Sequence, residues 1–253
     1  MGIHGKSGIH NEIPSVEKTA KGLPGCKSLL ITNEMVDSDI TQKFVWQDLD
    51  YLGYSDFIIY CLHQYIDTDY VLIVQSDGWM LNADNWRDEW FNYDYVGGWT
   101  HAGFDGHIFY KWYEYLKSKN PVHVVQNGGF SLRSKKFLEA PTKYGIVRHT
   151  KGNPELNNED IQLCCFMRPA LEKVGMRFAP EHESKLFSFE HLHPEVHKDI
   201  DLKKIFGHHS RFRRLLADDI MEWKLSPEEQ ESILEEDKVY QLFRDYEYKI
   251  WHV

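Results

Sequence analysis

The sequence predicts an α/β domain with a mostly parallel central sheet flanked by helices. Two observations carry this. The run Tyr70-Val71-Leu72-Ile73-Val74 is apolar, rich in β-branched residues and closed by the polar turn Gln75-Ser76-Asp77-Gly78, the pattern of a strand buried on both faces. Ahead of it, helix-like and strand-like stretches alternate, the order that sets strands side by side in parallel. At 253 residues, the chain is long enough for one such domain with an appendage.

Taken in order, Gly2-Ile3-His4-Gly5-Lys6-Ser7-Gly8 resembles a phosphate loop, but the spacing of a Walker loop is not met, so a P-loop NTPase is not expected. Residues 14–23 read as a short helix with Pro14 in its first turn and Pro24-Gly25 as its stop. Residues 29–32 read as a buried strand, and 54–66 as an amphipathic helix leading into the central strand. The segment carrying Trp79, Trp86, Trp90, Phe91, Tyr93, Tyr95 and Trp99 is unusually aromatic. Most of these rings suit a core, whereas Trp99, after Tyr95-Val96-Gly97-Gly98, is expected to line a pocket. Residues 122–133 carry the pair Gly128-Gly129, and Ser134-Lys135-Lys136 opens a helix. A buried helix follows Asn157-Asn158-Glu159-Asp160, with Asn158 as its cap and an end or kink at Pro169. From residue 213 onward an acidic helical extension is expected to pack on the domain of residues 1–212, opening at the capping box Ser226-Pro227-Glu228-Glu229.

Charge and composition exclude several functions. A net charge of −10 argues against nucleic acid as a partner, though a nucleotide bridged by a cation remains compatible. The cysteines Cys26, Cys61, Cys164 and Cys165 make no C-x-x-C pair, which favours a reducing, cytoplasmic setting. No apolar run is long enough to span a membrane, so any membrane association is expected to be peripheral.

Three clusters offer chemistry. Asp77 stands at the carboxyl end of a strand, where open α/β sheets meet their ligands, although Asp-Gly is also an ordinary turn pair. Gly128 and Gly129 allow close backbone approach, with Asn127 and Arg133 as donors to an anion or hydroxyl; a bend in the sheet is the plainer alternative. Asp160 or Glu159 can serve as a general base, or simply favour the helix start. The pair His208-His209 is a source of one nitrogen ligand to a divalent metal.

The order Gln75-Ser76-Asp77-Gly78-Trp79, Tyr93-Asp94-Tyr95-Val96-Gly97-Gly98, Asn127-Gly128-Gly129-Phe130-Ser131-Leu132-Arg133, Asn158-Glu159-Asp160 and Phe187-Ser188-Phe189-Glu190 resembles a largely uncharacterised glycosyltransferase-like family with the GT-A fold. The resemblance covers roughly residues 14–210. It implies a nucleotide-sugar donor, a divalent cation such as Mn2+ or Mg2+, and transfer to a glycan or glycolipid acceptor. Asp77 matches the last carboxylate of the D-x-D metal signature, with Gln75 in place of the first and Ser76 in the middle. His209 matches a late metal-ligating histidine, with His208 as the runner-up. Asp160 matches the base of inverting enzymes, with Glu159 beside it toward the acceptor. Gln75, Ser76, Gly78, Trp79, Trp99, Asn127, Gly128, Gly129 and Arg133 then surround donor and acceptor. The nucleotide base would fall to the loop Gly2 to Gly8. The other classes in play are a glycan-binding protein on the same scaffold and a histidine-dependent metal hydrolase, the latter disfavoured by the lack of H-x-x-E-H or H-E-x-x-H spacing.

Overall fold

The computed structural model describes residues 1–3, 8–100, 125–149, 157–192, 197–233 and 235–253, so His4 to Ser7 of the expected base-binding loop lie outside the described residues. Strands β1 (Gly2–Ile3), β2 (Leu29–Thr32) and β3 (Thr41–Phe44) pair in parallel, with helix α1 (Ile13–Gly22) between the first two. Helix α2 (Tyr51–Tyr60) is capped by Asp50, whose side chain accepts from the Gly53 amide. It leads through a short 3-10 turn into β4 (Tyr70–Val74).

The backbone of Met1 joins β4 to the parallel strands: its nitrogen donates to the Leu72 carbonyl, and its own carbonyl accepts from Val74. The other edge of β4 differs from the sequence expectation. There β7 (Val125–Ser134) pairs antiparallel, and β6 (Tyr95–Thr100) pairs antiparallel with β7 in turn. Two faces of this mixed sheet are covered by separate apolar clusters, one built on Phe130, Leu132, Trp90 and Phe206 and one on Ile31, Ile73, Phe57 and Leu138. Tyr70 and Leu72 stay half-buried, so β4 is less enclosed than its composition suggests.

Helix α3 (Lys135–Tyr144) starts on Ser134, whose hydroxyl accepts from the Phe137 amide, and stops at Gly145 in the left-handed region. The short helix α4 (Glu159–Ile161) runs into a wide turn over Gln162–Phe166, where the Met167 amide reaches back five residues to the Gln162 carbonyl. Such π turns concentrate at functional sites. Pro169 opens the next helix, α5 (Arg168–Lys173), in its first turn, where a missing N–H costs nothing.

After α6 (Glu181–Phe187), a small sheet forms from β5 (Gly78–Met80), β8 (Ser188–Phe189) and β9 (Gly207–His209), with β9 in the middle. The segment from residue 213 contains the expected helices, α7 (Pro227–Ser232) and α8 (Glu236–Asp245), and adds three strands, β10 (Arg213–Ala217), β11 (Ile220–Trp223) and β12 (Lys249–His252). It is not peripheral: Trp223, Val239, Phe243 and Tyr248 share one core with Trp79 and Phe189. Among the described residues, no helix is long and apolar enough to cross a membrane.

Candidate active site

The turn after β4 is positioned by two ladders. The Gln75 amide bonds to the Gly129 carbonyl on β7, and Gly78 pairs with His209 across the β5–β9 ladder. Asp77, one residue before Gly78, is thereby held against His209: its Oδ1 lies 3.1 Å from His209 Nε2. The same ring nitrogen is 3.0 Å from Gln75 Oε1, and Gln75 Nε2 donates to the Tyr54 hydroxyl at 2.6 Å. Burial alone would lower the His209 pKa, but the Asp77 charge and hydrogen bonding outweigh it and hold it at about 9. Burial would likewise raise the Asp77 pKa, and the His209 charge keeps it below the ordinary carboxylate value.

Gly128 and Gly129 explain how this cluster comes so close to β7. A Cβ on Gly129 would lie 2.2 Å from His209 Nε2 and 2.4 Å from Gln75 Oε1, and one on Gly128 would lie 2.2 Å from Glu159 Oε1. A side chain at either position would force these neighbouring side chains to move. The β6–β7 pairing slips between Gly97 and Trp99, leaving the backbone around Asn127 free to curl. Asn127 Oδ1 accepts from the Gly129 amide at 2.8 Å, and its Nδ2 donates to Glu190 Oε2 at 2.9 Å.

Beneath the glycines lies Arg133, fully buried, with Nη2 donating to Glu159 Oε1 at 2.7 Å and its guanidinium over the Tyr95 ring at 4.6 Å. Burial would lower its pKa, and Glu159 more than restores it. Arg133 therefore supports Glu159 from below and does not reach the cleft. The Asn158 side chain, expected to cap the helix, instead accepts from the Tyr51 hydroxyl.

Asp160 stands next to Glu159 with Oδ1 accepting from the Ile161 amide at 2.8 Å. Burial, followed by the charges of Glu159 and Glu190, pushes its pKa up to about 8. The hydrogen bond from the Ile161 amide and the charge of Arg133, which would lower it, are outweighed.

Most of these groups share one cleft of about 450 Å³, which Asp77 adjoins through His209 without lining it. Its walls include Gln75, Asn127, Gly128, Gly129, Glu159, Asp160 and His209 from the sequence-derived set, and also Tyr54, Thr100 and Glu190, which had been given no role. Glu190 was visible as the end of Phe187-Ser188-Phe189-Glu190; Tyr54 left no signal beyond its place on a helix.

Five further candidates lie elsewhere. Trp79 is completely buried, its indole N–H donating to the Tyr248 hydroxyl at 2.8 Å, so it belongs to the core and not to a binding surface. His208 is buried edge-on against Trp79 at 4.1 Å, and burial and then Arg213 hold its pKa well below the ordinary value. It faces away from Asp77 because neighbouring side chains on β9 alternate. Gly78 shapes the turn, and Ser76 contributes its carbonyl to Ser15 and Leu215 without lining the cleft. Trp99 is half-buried on β6 and is not among the cleft residues, although Thr100 beside it is.

Among the described residues, no three His, Cys, Asp or Glu side chains converge on a metal position. Gln75, Asp77 and His209 nonetheless suit a divalent cation that a substrate helps to hold. Asp77 Oδ1 faces His209 Nε2 at 3.1 Å, so a cation would take the place of the proton His209 carries there, and 22% of the Asp77 side chain remains exposed. Two donors on adjacent positions of an octahedral ion at about 2.1 Å stand roughly 3 Å apart, the spacing found here. Such ions commonly take one or two protein carboxylates and fill their remaining positions with water and substrate phosphates.

A mixed α/β fold with a glycine-floored acidic cleft defines the class of protein. The chain belongs to the family described as "Protein of unknown function (DUF5672)", whose model matches residues 35–209, a span that contains every cleft residue from Tyr51 to His209. No curated protein matches the sequence. Among solved structures, it is similar to the galactosyltransferase LgtC in complex with donor and acceptor sugar analogs, at 13% identity and a TM-score of 0.43, over 97% of this chain and 96% of that one.

Proposed function

We propose that this chain is a glycosyltransferase that moves a sugar from a nucleotide-sugar donor to a hydroxyl of an acceptor glycan. The observation that carries the reading is the pairing, within one cleft, of Gln75 and His209, the latter 3.1 Å from Asp77 at a cation-compatible end, with a high-pKa carboxylate at Asp160. The order of motifs, which resembles that of glycosyltransferase-like proteins, supports it.

Asp160 accepts the acceptor hydroxyl proton as that oxygen bonds to the anomeric carbon, while the bond from carbon to the diphosphate oxygen breaks in line, with inversion. Its pKa near 8 makes it a strong base that is ionised in a useful fraction at neutral pH. A divalent cation, manganese or magnesium, would neutralise the charge that develops on the departing diphosphate. Asn127, Gly128 and Gly129 form the floor on which the sugar rests, and Glu159, fixed by Arg133, steadies the helix start that carries Asp160.

A thermal-shift screen of nucleotide sugars and free glycans, with and without manganese, tests the reading, since ligand binding to the folded state raises its apparent stability. At least one nucleotide sugar is expected to raise the Tm only when manganese is present. Stabilisation by free glycans, with no response to any nucleotide sugar, would instead identify a glycan-binding protein.

A further inference from the structure

Asp160 is not the only carboxylate available to a ligand in this cleft. Glu190 follows β8 and is fixed from two sides. Its Oε2 accepts from Asn127 Nδ2 at 2.9 Å, and Asn127 cannot turn its amide over because its own Oδ1 is held by the Gly129 N–H. On the backbone side, Arg213 Nη2 lies 3.4 Å from the Glu190 carbonyl oxygen. Arg213 is itself fully buried, ion-paired with Glu236 and lying over the Trp223 and Phe243 rings. The C-terminal segment thus reaches the cleft through Glu190. Among the described residues, nothing donates to Glu190 Oε1. Two buried cleft oxygens, Glu159 Oε2 and Thr100 Oγ1, also have no hydrogen-bond partner among the described residues.

The charges divide the cleft into two ends. His209 is committed to Asp77, and Arg133 to Glu159. Burial lowers the pKa of His191, which favours its neutral form. Arg211 is exposed at the rim. Among the described residues, that leaves the carboxyl groups of Asp160 and Glu190 with no cation committed to them. Ionised carboxylates only accept hydrogen bonds, so the groups they meet must be hydroxyl or N–H donors. A second anion within a few ångströms would be repelled, costing roughly a hundredfold or more in affinity in a partly dry cleft.

We propose that Glu190 is the acceptor-binding carboxylate of this site and that the acceptor is an uncharged sugar: one hydroxyl donates to Glu190 beside the hydroxyl activated by Asp160, and acidic sugars are excluded. This rests on the glycosyltransferase reading and specifies its acceptor.

The test measures nucleoside diphosphate release with manganese, using water alone and then a panel of soluble glycans in matched neutral and acidic pairs, such as lactose and sialyllactose. Wild type, Glu190→Gln and Glu190→Asp are compared. Stimulation is expected from neutral members only. Glu190→Gln is expected to raise the neutral acceptor KM roughly 10- to 100-fold with a smaller change in kcat. It is also expected to narrow the neutral-to-acidic preference at least tenfold, which a fold defect would not do, and Glu190→Asp to recover part of the affinity. Stimulation by acidic members only, stimulation by none, or an unchanged KM and preference in Glu190→Gln overturns the proposal while leaving donor turnover intact. A wild-type protein that releases diphosphate from no nucleotide sugar removes the glycosyltransferase reading as well.

Discussion

Replacing Asp160 with Asn should stabilise the protein as it removes the base, and the gain should depend on pH. The carboxyl has an ordinary pKa of 3.8 when the chain is unfolded and about 8 when folded. Between those values the folded state binds more protons than the unfolded one, so stability falls as pH rises through the window and levels off above about 8. Each tenfold change in proton affinity is about 1.4 kcal/mol, which sets a ceiling of ~6 kcal/mol. Water entry and side-chain relaxation in an open cleft reduce this to ~2–3 kcal/mol. For a chain of this length, 1 kcal/mol moves the Tm by ~2–4 °C, so Asp160→Asn should melt ~5–10 °C above wild type at pH 9. The advantage should shrink steadily toward pH 4. Thermal melts of both proteins at half-unit pH steps measure it. A Tm difference that does not change between pH 4 and pH 9 would refute the burial of an ionisable Asp160 and with it the basis for its role.

Other substitutions separate the cleft from its supports. Gly129→Ala drives a methyl group into His209 and Gln75, and should weaken manganese-dependent donor binding at least tenfold while the protein stays folded by circular dichroism. Arg133→Met leaves Glu159 buried without its partner and should cost ~3–5 kcal/mol in urea unfolding; adding Glu159→Gln should return part of it. Trp79→Phe loses the hydrogen bond to Tyr248 and some core packing, for ~1–3 kcal/mol, with donor affinity in calorimetry unchanged. A drop in affinity without a drop in stability would return Trp79 to the binding surface.

Local pattern made some of this legible. The apolar run of β4 ending on Asp77, the glycine pair and the Glu159-Asp160 helix start each depend on neighbours in sequence, and all three meet at the cleft or its edge. What escaped depends on chain that arrives from far away. Trp79 looks like a ligand-facing ring until Phe243 and Tyr248, some 170 residues later, close over it. Arg133 looks like a free donor until Glu159 takes it. The antiparallel partner of β4 is equally invisible, because a strand's own residues do not state the direction of its neighbour. The two histidines could have been separated earlier: once residues 207–209 are read as a strand, alternation allows only one of them to face Asp77. Glu190 carried a visible signal, a carboxylate ending an alternating segment, but its meaning depends on Asn127 and Asp160 across the fold.

The measurement that bears most directly on the division of labour in the cleft is paired calorimetry and turnover on three proteins with one nucleotide sugar and manganese. Wild type should bind and transfer, Asp160→Asn should bind with similar affinity and transfer at least a hundredfold more slowly, and Asp77→Ala should lose manganese-dependent binding. Full turnover by Asp160→Asn, or unaltered metal-dependent binding by Asp77→Ala, would contradict it.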